Sequence, residues 1–325
     1  MTIRRAYCLE LGETITADQA RREYLSLEPR PDRLNFLCDH SPCRAAEIRV
    51  SGVAYKQVAR ESRKHVAAHF REWDKHLPGC PEVSGDNDAG SGSAGDDARN
   101  RKRTARQKLT DFVDVFDPRL KTEELRTRST TTEPATPETG GRKRHHTGMP
   151  DDENGASRTT TRYLDKLVDT YLEARSILTD EEFWSLDLAI TGEGRVKLGR
   201  YFRHIGRWDQ TSPASVLHDG ATIFRRYGKG FKLKFIDYID GKPVFLYIAP
   251  ELMEAYQYRR YLLDIVEMAE QAKYVRVFAL GTVELAPSGK SMNVVVKDLR
   301  HLTLILPEVK EKDDSPKAAS TDVAT

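Results

Sequence analysis

Long apolar runs are missing from this 325-residue chain. No segment approaches the roughly 20 consecutive apolar residues that cross a bilayer, which argues against a helical membrane protein and predicts no membrane contact. The opening MTIRRAYCLELGE has two arginines but neither a continuous apolar stretch nor a small-residue cleavage site, a pattern that predicts a cytoplasmic protein rather than a secreted one. An excess of charge of one sign is missing too. The 52 Lys and Arg nearly balance the 50 Asp and Glu, so any electrostatic function must reside in local clusters. Catalytic fingerprints are also lacking: no P-loop, no GxSxG, no GxGxxG after a strand, no HExxH and no HxE…PCxxC. That removes the common nucleotide-hydrolysing, acyl-transferring, dinucleotide-binding and zinc-hydrolytic classes. The residues offer no catalytic constellation in their place, so a non-catalytic role is expected.

Cysteine is scarce, with only four residues, but it is concentrated. Three of the four cysteines and four of the nine histidines fall between Cys38 and Cys80. Cys38-x4-Cys43 forms one chelating pair, stiffened by Pro42, and His76-x3-Cys80 forms a second, with Pro78-Gly79 folding the chain between them. Zinc takes four nitrogen or sulfur ligands in a tetrahedron, supplied by short loops or helix ends. The first-choice set is therefore Cys38, Cys43, His76 and Cys80, and the alternative ligands are His65 and His69, four apart on one face of a predicted helix. The plainer reading makes the cysteines small buried hydrophobes and the histidines a solvated helix face. Four protein ligands close the site, so a structural Zn2+ is expected rather than a catalytic one. Clustered thiols of metal-binding spacing also fit a reducing compartment.

The chain divides by composition into an α+β protein of unequal parts. Residues 1–80 read as a small zinc-stabilised module. Thr16-Ala17-Asp18-Gln19 has the form of a capping box before a helix over 20–25, and Val66, Phe70 and Trp73 mark one face of a second helix. Residues 81–160 read as a long disordered linker: GDNDAGSGSAGDD is acidic and flexible, RNRKRTARQK strongly basic, and STTTEPATPETGG rich in Thr, Pro and Gly. One hydrophobic island, Leu109–Phe116, interrupts it as a possible docking segment for a protein partner or a domain. Residues 161–308 read as a β-rich domain with an amphipathic helix over 162–176, strands near 196–202, 221–227, 231–238, 243–249, 274–285, 292–296 and 302–306, and a long helix over 251–272. Residues 309–325 read as a charged, disordered tail.

In the first 80 residues, Gly12 at an opening strand turn, Thr16-Ala17 leading a helix, the aromatic before Cys38-x4-Cys43, a basic stretch and His69-Phe70 resemble the zinc-binding start of bacterial CoiA-like competence proteins. The resemblance implies a role in DNA handling and, in such proteins, a nuclease-like partner domain. No acidic-x-acidic-x-Lys pattern follows here to carry a nuclease activity. The strand order of 161–308 likewise resembles an OB-fold-like barrel, which implies a grip on single strands or on protein partners.

Between Arg195 and Lys234 there are ten Lys and Arg against two acids, Asp209 and Asp219. Arg200, Arg203, Arg225, Arg226, Lys229, Lys232 and Lys234 are candidate phosphate contacts, and Tyr201, Trp208, Tyr227 and Phe231 candidate stacking faces for unpaired bases. The alternative is a strand in which half the aromatics face the core and the lysines face water. His204, His218 and His301 read as scattered surface or core residues. The functional expectation is an accessory protein that binds DNA or RNA, single-stranded by preference. The rival expectations are a protein–protein adaptor and, behind both, a nuclease.

Overall fold

The computed structural model describes residues 2–61, 65–81, 102, 104–106, 108–109, 112–119, 159–211 and 213–308. Residues 82–100 and 120–158 of the expected linker, and the expected tail from 309, lie outside the described residues.

The chain opens with a six-stranded sheet of order β1-β6-β5-β4-β2-β3, built from β1 (Thr2–Ile3), β2 (Ala6–Cys8), β3 (Glu13–Ile15), β4 (Phe36–Cys38), β5 (Arg49–Val53) and β6 (His69–Glu72). Helix α1 (Ala17–Ser26) follows β3, and its first turn is closed by the Thr16 hydroxyl accepting from the Gln19 amide at 3.4 Å. A five-residue helix α2 (Ser41–Ala45) follows β4. The helix expected through Val66, Phe70 and Trp73 is instead strand β6, hydrogen-bonded between β1 and β5. Spacing of four and three fits a helix, but Phe70 alone is buried while Val66 and Trp73 are exposed. Pairing on both sides decides the conformation.

The second sheet has order β10-β9-β7-β8, from β7 (Val115–Phe116), β8 (Thr160–Thr161), β9 (Asp187–Ile190) and β10 (Gly194–Lys197). Between β8 and β9 run α3 (Leu164–Ile177) and α4 (Asp180–Ser185), the latter with a complete capping box of Thr179 and Glu182. The hydrophobic island within the expected linker is part of this layer. Val113 and Phe116 are fully buried, with Ala105, Leu109 and Phe112 beside them, in one core with Leu164, Leu167 and Leu188. Five apolar side chains in twelve residues suffice when an existing core receives them. Phe116→Ala is expected to cost about 3–5 kcal/mol in urea unfolding, and a loss under about 1 kcal/mol would remove the island from the core.

After a short helix α5 (Leu198–Tyr201), strand β11 (Phe202–His204) leads into the third sheet. Its members are β12 (Val216–Tyr227), β13 (Gly230–Ile239), β14 (Lys242–Ile248), β15 (Val275–Leu280), β16 (Thr282–Leu285), β17 (Met292–Val295) and β18 (Leu302–Ile305). The order is β16-β17-β14-β13-β12-β15-β18, with β11 parallel to the start of β12. No barrel forms: among the described residues β16 and β18 do not pair, and the sheet stays open. The expected long helix is two, α6 (Pro250–Ala255) and α7 (Arg259–Glu270). Tyr261, Leu262, Ile265, Val266 and Ala269 of α7 are buried against the sheet, covering the face that a barrel would have closed around.

The N-terminal sheet and the third sheet share one apolar core, and a buried ionic network joins α1 to α3. Arg21 of α1 meets Asp169 of α3 at 3.0 Å, and His65 meets the other oxygen of Asp169 at 2.9 Å. Arg22 bridges Asp165 at 2.6 Å and Asp18 at 2.9 Å, with the Tyr163 ring 3.9 Å from its guanidinium. The chain is further stitched where Leu306 accepts from the Glu61 amide at 2.8 Å and donates to the Ala59 carbonyl at 3.1 Å. No helix among the described residues is long and apolar enough to cross a membrane.

Candidate functional site

Three segments bring the metal-type residues together. Strand β4 ends on Cys38, the first turn of α2 carries Cys43, and the bend after β6 carries His76 and Cys80. One ligand atom from each of Cys38, Cys43, His76 and Cys80 lies within 4.8 Å of the other three, and the cysteines are fully buried. Cys38 Sγ is 3.6 Å from Cys80 Sγ, and Cys80 Sγ is 3.3 Å from His76 Nδ1. The Leu77 amide points at Cys43 Sγ from 3.4 Å, and His40 Nδ1 lies 3.5 Å from the same sulfur. The backbone explains the bend: Gly79 takes a φ of 79° with nothing near the place of a side chain, so the chain reverses there without strain.

The electrostatics favour a bound cation. Burial, together with the neighbouring Cys80 and Cys43, pushes the Cys38 thiol up to about 12. Buried thiolates side by side repel one another and lack solvation, so the set becomes stable as thiolates only around a positive ion. His76 turns its Nδ1 towards the sulfurs, while Nε2 on the far side of the ring is buried with no hydrogen-bond partner among the described residues. This buried Cys3His group suits a structural metal ion. The alternative ligands go elsewhere: His65 sits in the ionic network on Asp169, and His69 Nδ1 faces the Ala67 carbonyl at 3.0 Å. Cys8, the fourth cysteine, is buried apart from the cluster near Glu10.

The residues expected to meet nucleic acid divide into two places. Arg200 and Tyr201 lie on α5, Arg203 on β11 and Trp208 just beyond it, around the start of β12. Tyr201 is buried in the second core, Trp208 packs partly against the first, and Arg203 lies 4.0 Å from Asp209. Arg225, Arg226, Tyr227, Lys229, Phe231, Lys232 and Lys234 surround the hairpin at the far end of β12 and β13. Phe231 is fully buried, as alternation along β13 places it, and Tyr201 is buried from α5, so neither offers the stacking face expected of it. Arg226 pairs with Glu270 at 3.1 Å and Lys229 with Glu254 at 3.3 Å, which leaves both half-neutralised. Gly230 is required by packing rather than by a ligand, because a Cβ there would meet the Ile248 carbonyl at 2.6 Å.

The outward face of β12, β13 and β14 holds a set that alternation assembles and linear reading misses. Lys232 lies opposite Tyr247 and Arg225, and Lys234 opposite Phe245 and Thr222. Phe224, Tyr227 and Tyr247 are exposed, by 53%, 37% and 48%. The rings pair edge to face, Phe224 with Phe245 at 5.4 Å and Tyr227 with Tyr247 at 5.5 Å, and the Lys232 ammonium sits 4.1 Å from the Phe245 ring centre. Tyr227, Lys232, Tyr247, Asn293, Val294 and Val295 line a shallow depression of about 470 Å³ beside them. The signal available in the sequence was the period of two across three strands. It needs the register to become a surface.

Compared with known protein families, curated proteins and solved structures, the chain matches none. Class and function therefore rest on the fold and these two sites.

Proposed function

We propose that this α+β protein is a non-catalytic accessory protein that holds single-stranded DNA or RNA on the outward face of its third sheet, with a zinc ion fixing its N-terminal sheet. The observation that carries the reading is the cluster of Phe224, Tyr227, Phe245 and Tyr247 around Lys232, with Lys234 and Arg225 beside it. Exposed aromatics in solvent are unfavourable without a partner. Unpaired bases are suitable partners because each has a π-face, while lysines and arginine neutralise the phosphates between them. A duplex keeps its bases stacked and offers nothing to these rings. An adaptor function remains the rival reading, and the experiment below separates the two.

Zinc fits the Cys3His set by chemistry and spacing. Ligands at about 2.3 Å for sulfur and 2.0–2.1 Å for nitrogen stand roughly 3.5–3.8 Å apart around a tetrahedron, close to the 3.6 Å and 3.3 Å separations of Cys38, Cys80 and His76. Three thiolates and one imidazole leave no open position, so the ion holds β4, α2 and the bend after β6 together and does no chemistry.

Fluorescence anisotropy of labelled single-stranded and duplex oligonucleotides across a salt series tests the reading. Tyr247→Ala or Phe245→Ala is expected to weaken single-strand binding by about 1–3 kcal/mol each. Lys232→Ala and Lys234→Ala are each expected to flatten the slope of affinity against salt by about 0.7. Phe231→Ala serves as a contrast, since its ring is in the core and its loss acts through stability. Absence of single-strand binding at low salt would discard the nucleic-acid reading and leave the adaptor.

A further inference from the structure

Three residues that look unrelated in the sequence converge at the other end of β12 and β13. His204 ends β11, Asp219 lies within β12 and Asp237 lies near the end of β13. One imidazole nitrogen and one oxygen from each carboxylate fall within 4.8 Å of one another. From the geometry we propose a second metal site here: His204, Asp219 and Asp237 bind one first-row divalent cation of the Mn2+ type, with its remaining positions open to water.

The separations are long for hydrogen bonds. His204 Nε2 stands 3.3 Å from Asp219 Oδ1, and His204 Nδ1 stands 3.5 Å from Asp237 Oδ2. Both exceed the 2.7–3.2 Å of an N–H···O bond. The two contacts use opposite nitrogens of the ring, so an ion takes one of them; either single separation matches the roughly 3.0–3.5 Å between donors placed about 2.0–2.2 Å from a common ion, and the remaining carboxylate oxygen lies within 4.8 Å. An imidazole with two carboxylates is a mixed nitrogen and oxygen set that suits Mn2+ and its first-row neighbours, unlike the thiolate-rich N-terminal cluster.

The surroundings hold the ligands ready. Asp219 is buried, at 8% exposure, and has no Lys or Arg ion-pair partner among the described residues. Its Oδ2 accepts from the Asp237 amide at 2.8 Å and its Oδ1 from the Gly220 amide at 2.7 Å. The Gly206 amide points at His204 Nδ1 from 3.4 Å. Gly206 also leaves room for the third ligand, because a Cβ there would lie 2.8 Å from Asp237 Oδ2. The two amides on Asp219 are outer contacts of the kind that orient metal ligands. Asp237 is half-exposed, which gives an ion and its waters a way in.

The site is independent of the aromatic face, and its test does not use nucleic acid. The full chain, with its N-terminal cluster zinc-loaded, is titrated with Mn2+ while the electron spin resonance of the free ion is recorded. The wild type is expected to remove one equivalent of Mn2+ from solution and to enhance water-proton relaxation, the mark of open positions. His204→Ala and Asp237→Asn are expected to lose that equivalent, and Asp240→Asn, in the following turn, to keep it. Asp237 is exposed enough for its variant to fold, which circular dichroism verifies, whereas Asp219→Asn disturbs a buried acceptor and serves only in support. Equal uptake by the wild type and both ligand variants, or no uptake by the wild type at millimolar Mn2+, would overturn the assignment and leave His204 as a histidine flanked by two carboxylates.

Discussion

Cys80→Ser is expected to release the N-terminal ion and to lower the stability of the whole chain, not of a detachable piece. Structural zinc in small domains contributes roughly 10–16 kcal/mol of apparent binding energy, and loss of one thiolate forfeits a large part of it. A loss of about 5 kcal/mol corresponds to a fall in Tm on the order of 10–20 °C. The effect spreads because Cys38, Cys43 and Cys80 belong to the same apolar core as Leu233, Leu246 and Val277 of the third sheet. Cys8→Ser supplies the control: Cys8 is buried too, but outside the ligand set. Elemental analysis with calorimetry reads both quantities. Full metal content in Cys80→Ser would remove Cys80 from the ligand set, and equal metal loss in Cys8→Ser would dissolve the distinction.

Asp169→Ala is expected to destabilise by about 3–5 kcal/mol, because it strands the buried Arg21 guanidinium without a counter-charge. It also removes the partner of His65. Urea unfolding measures the loss, and a change within that of an ordinary surface substitution would show the network to be energetically idle. The same carboxylate predicts a pH dependence. Burial works to raise it, and Arg21, then His65 and Lys166, overcome burial and hold it at about 2. The unfolded carboxylate titrates near 3.9, so the folded state favours the charged form. The resulting stability, about 2 kcal/mol, is present above about pH 4 and disappears as the pH falls towards 2. In Asp169→Asn that acid limb should be shallower by this amount.

The Cys3His group was legible because ligand chemistry writes short-range patterns. Cys-x4-Cys and His-x3-Cys are each local, and the bend between His76 and Cys80 is spelled by Pro78-Gly79. The capping residue Thr16 and helix α3 were legible for the same reason, since caps and 3.6-residue periods act within a few turns. What failed depended on partners remote in sequence. Phe70 reads as helical until β1 and β5 are placed beside it. Leu109–Phe116 reads as a docking segment within a linker until α3 and β9 supply its core. The expected surface set divided: Tyr227 and the lysines of β13 lie on the outward face, while Phe231 turns inward and Phe245 and Tyr247 share the outward face with them. Strand alternation gives the parity of a face, and only the register and the covered side say which parity meets water.

The bridge between Ala59–Glu61 and Leu306 has a consequence for time. Its two halves leave the ribosome roughly 250 residues apart, which at about 5–20 residues per second separates them by on the order of ten to fifty seconds. For the first roughly 145 residues of that interval α1 presents Arg21 with no Asp169 to receive it and Arg22 with Asp18 but no Asp165, and β5 and β6 wait longer for the third sheet that completes their core. The Cys3His group, by contrast, is complete once residue 80 has emerged. An ion taken up by that group would clamp β4, α2 and the bend after β6 alongside the strand pairing of the N-terminal sheet, before the rest of the chain is made.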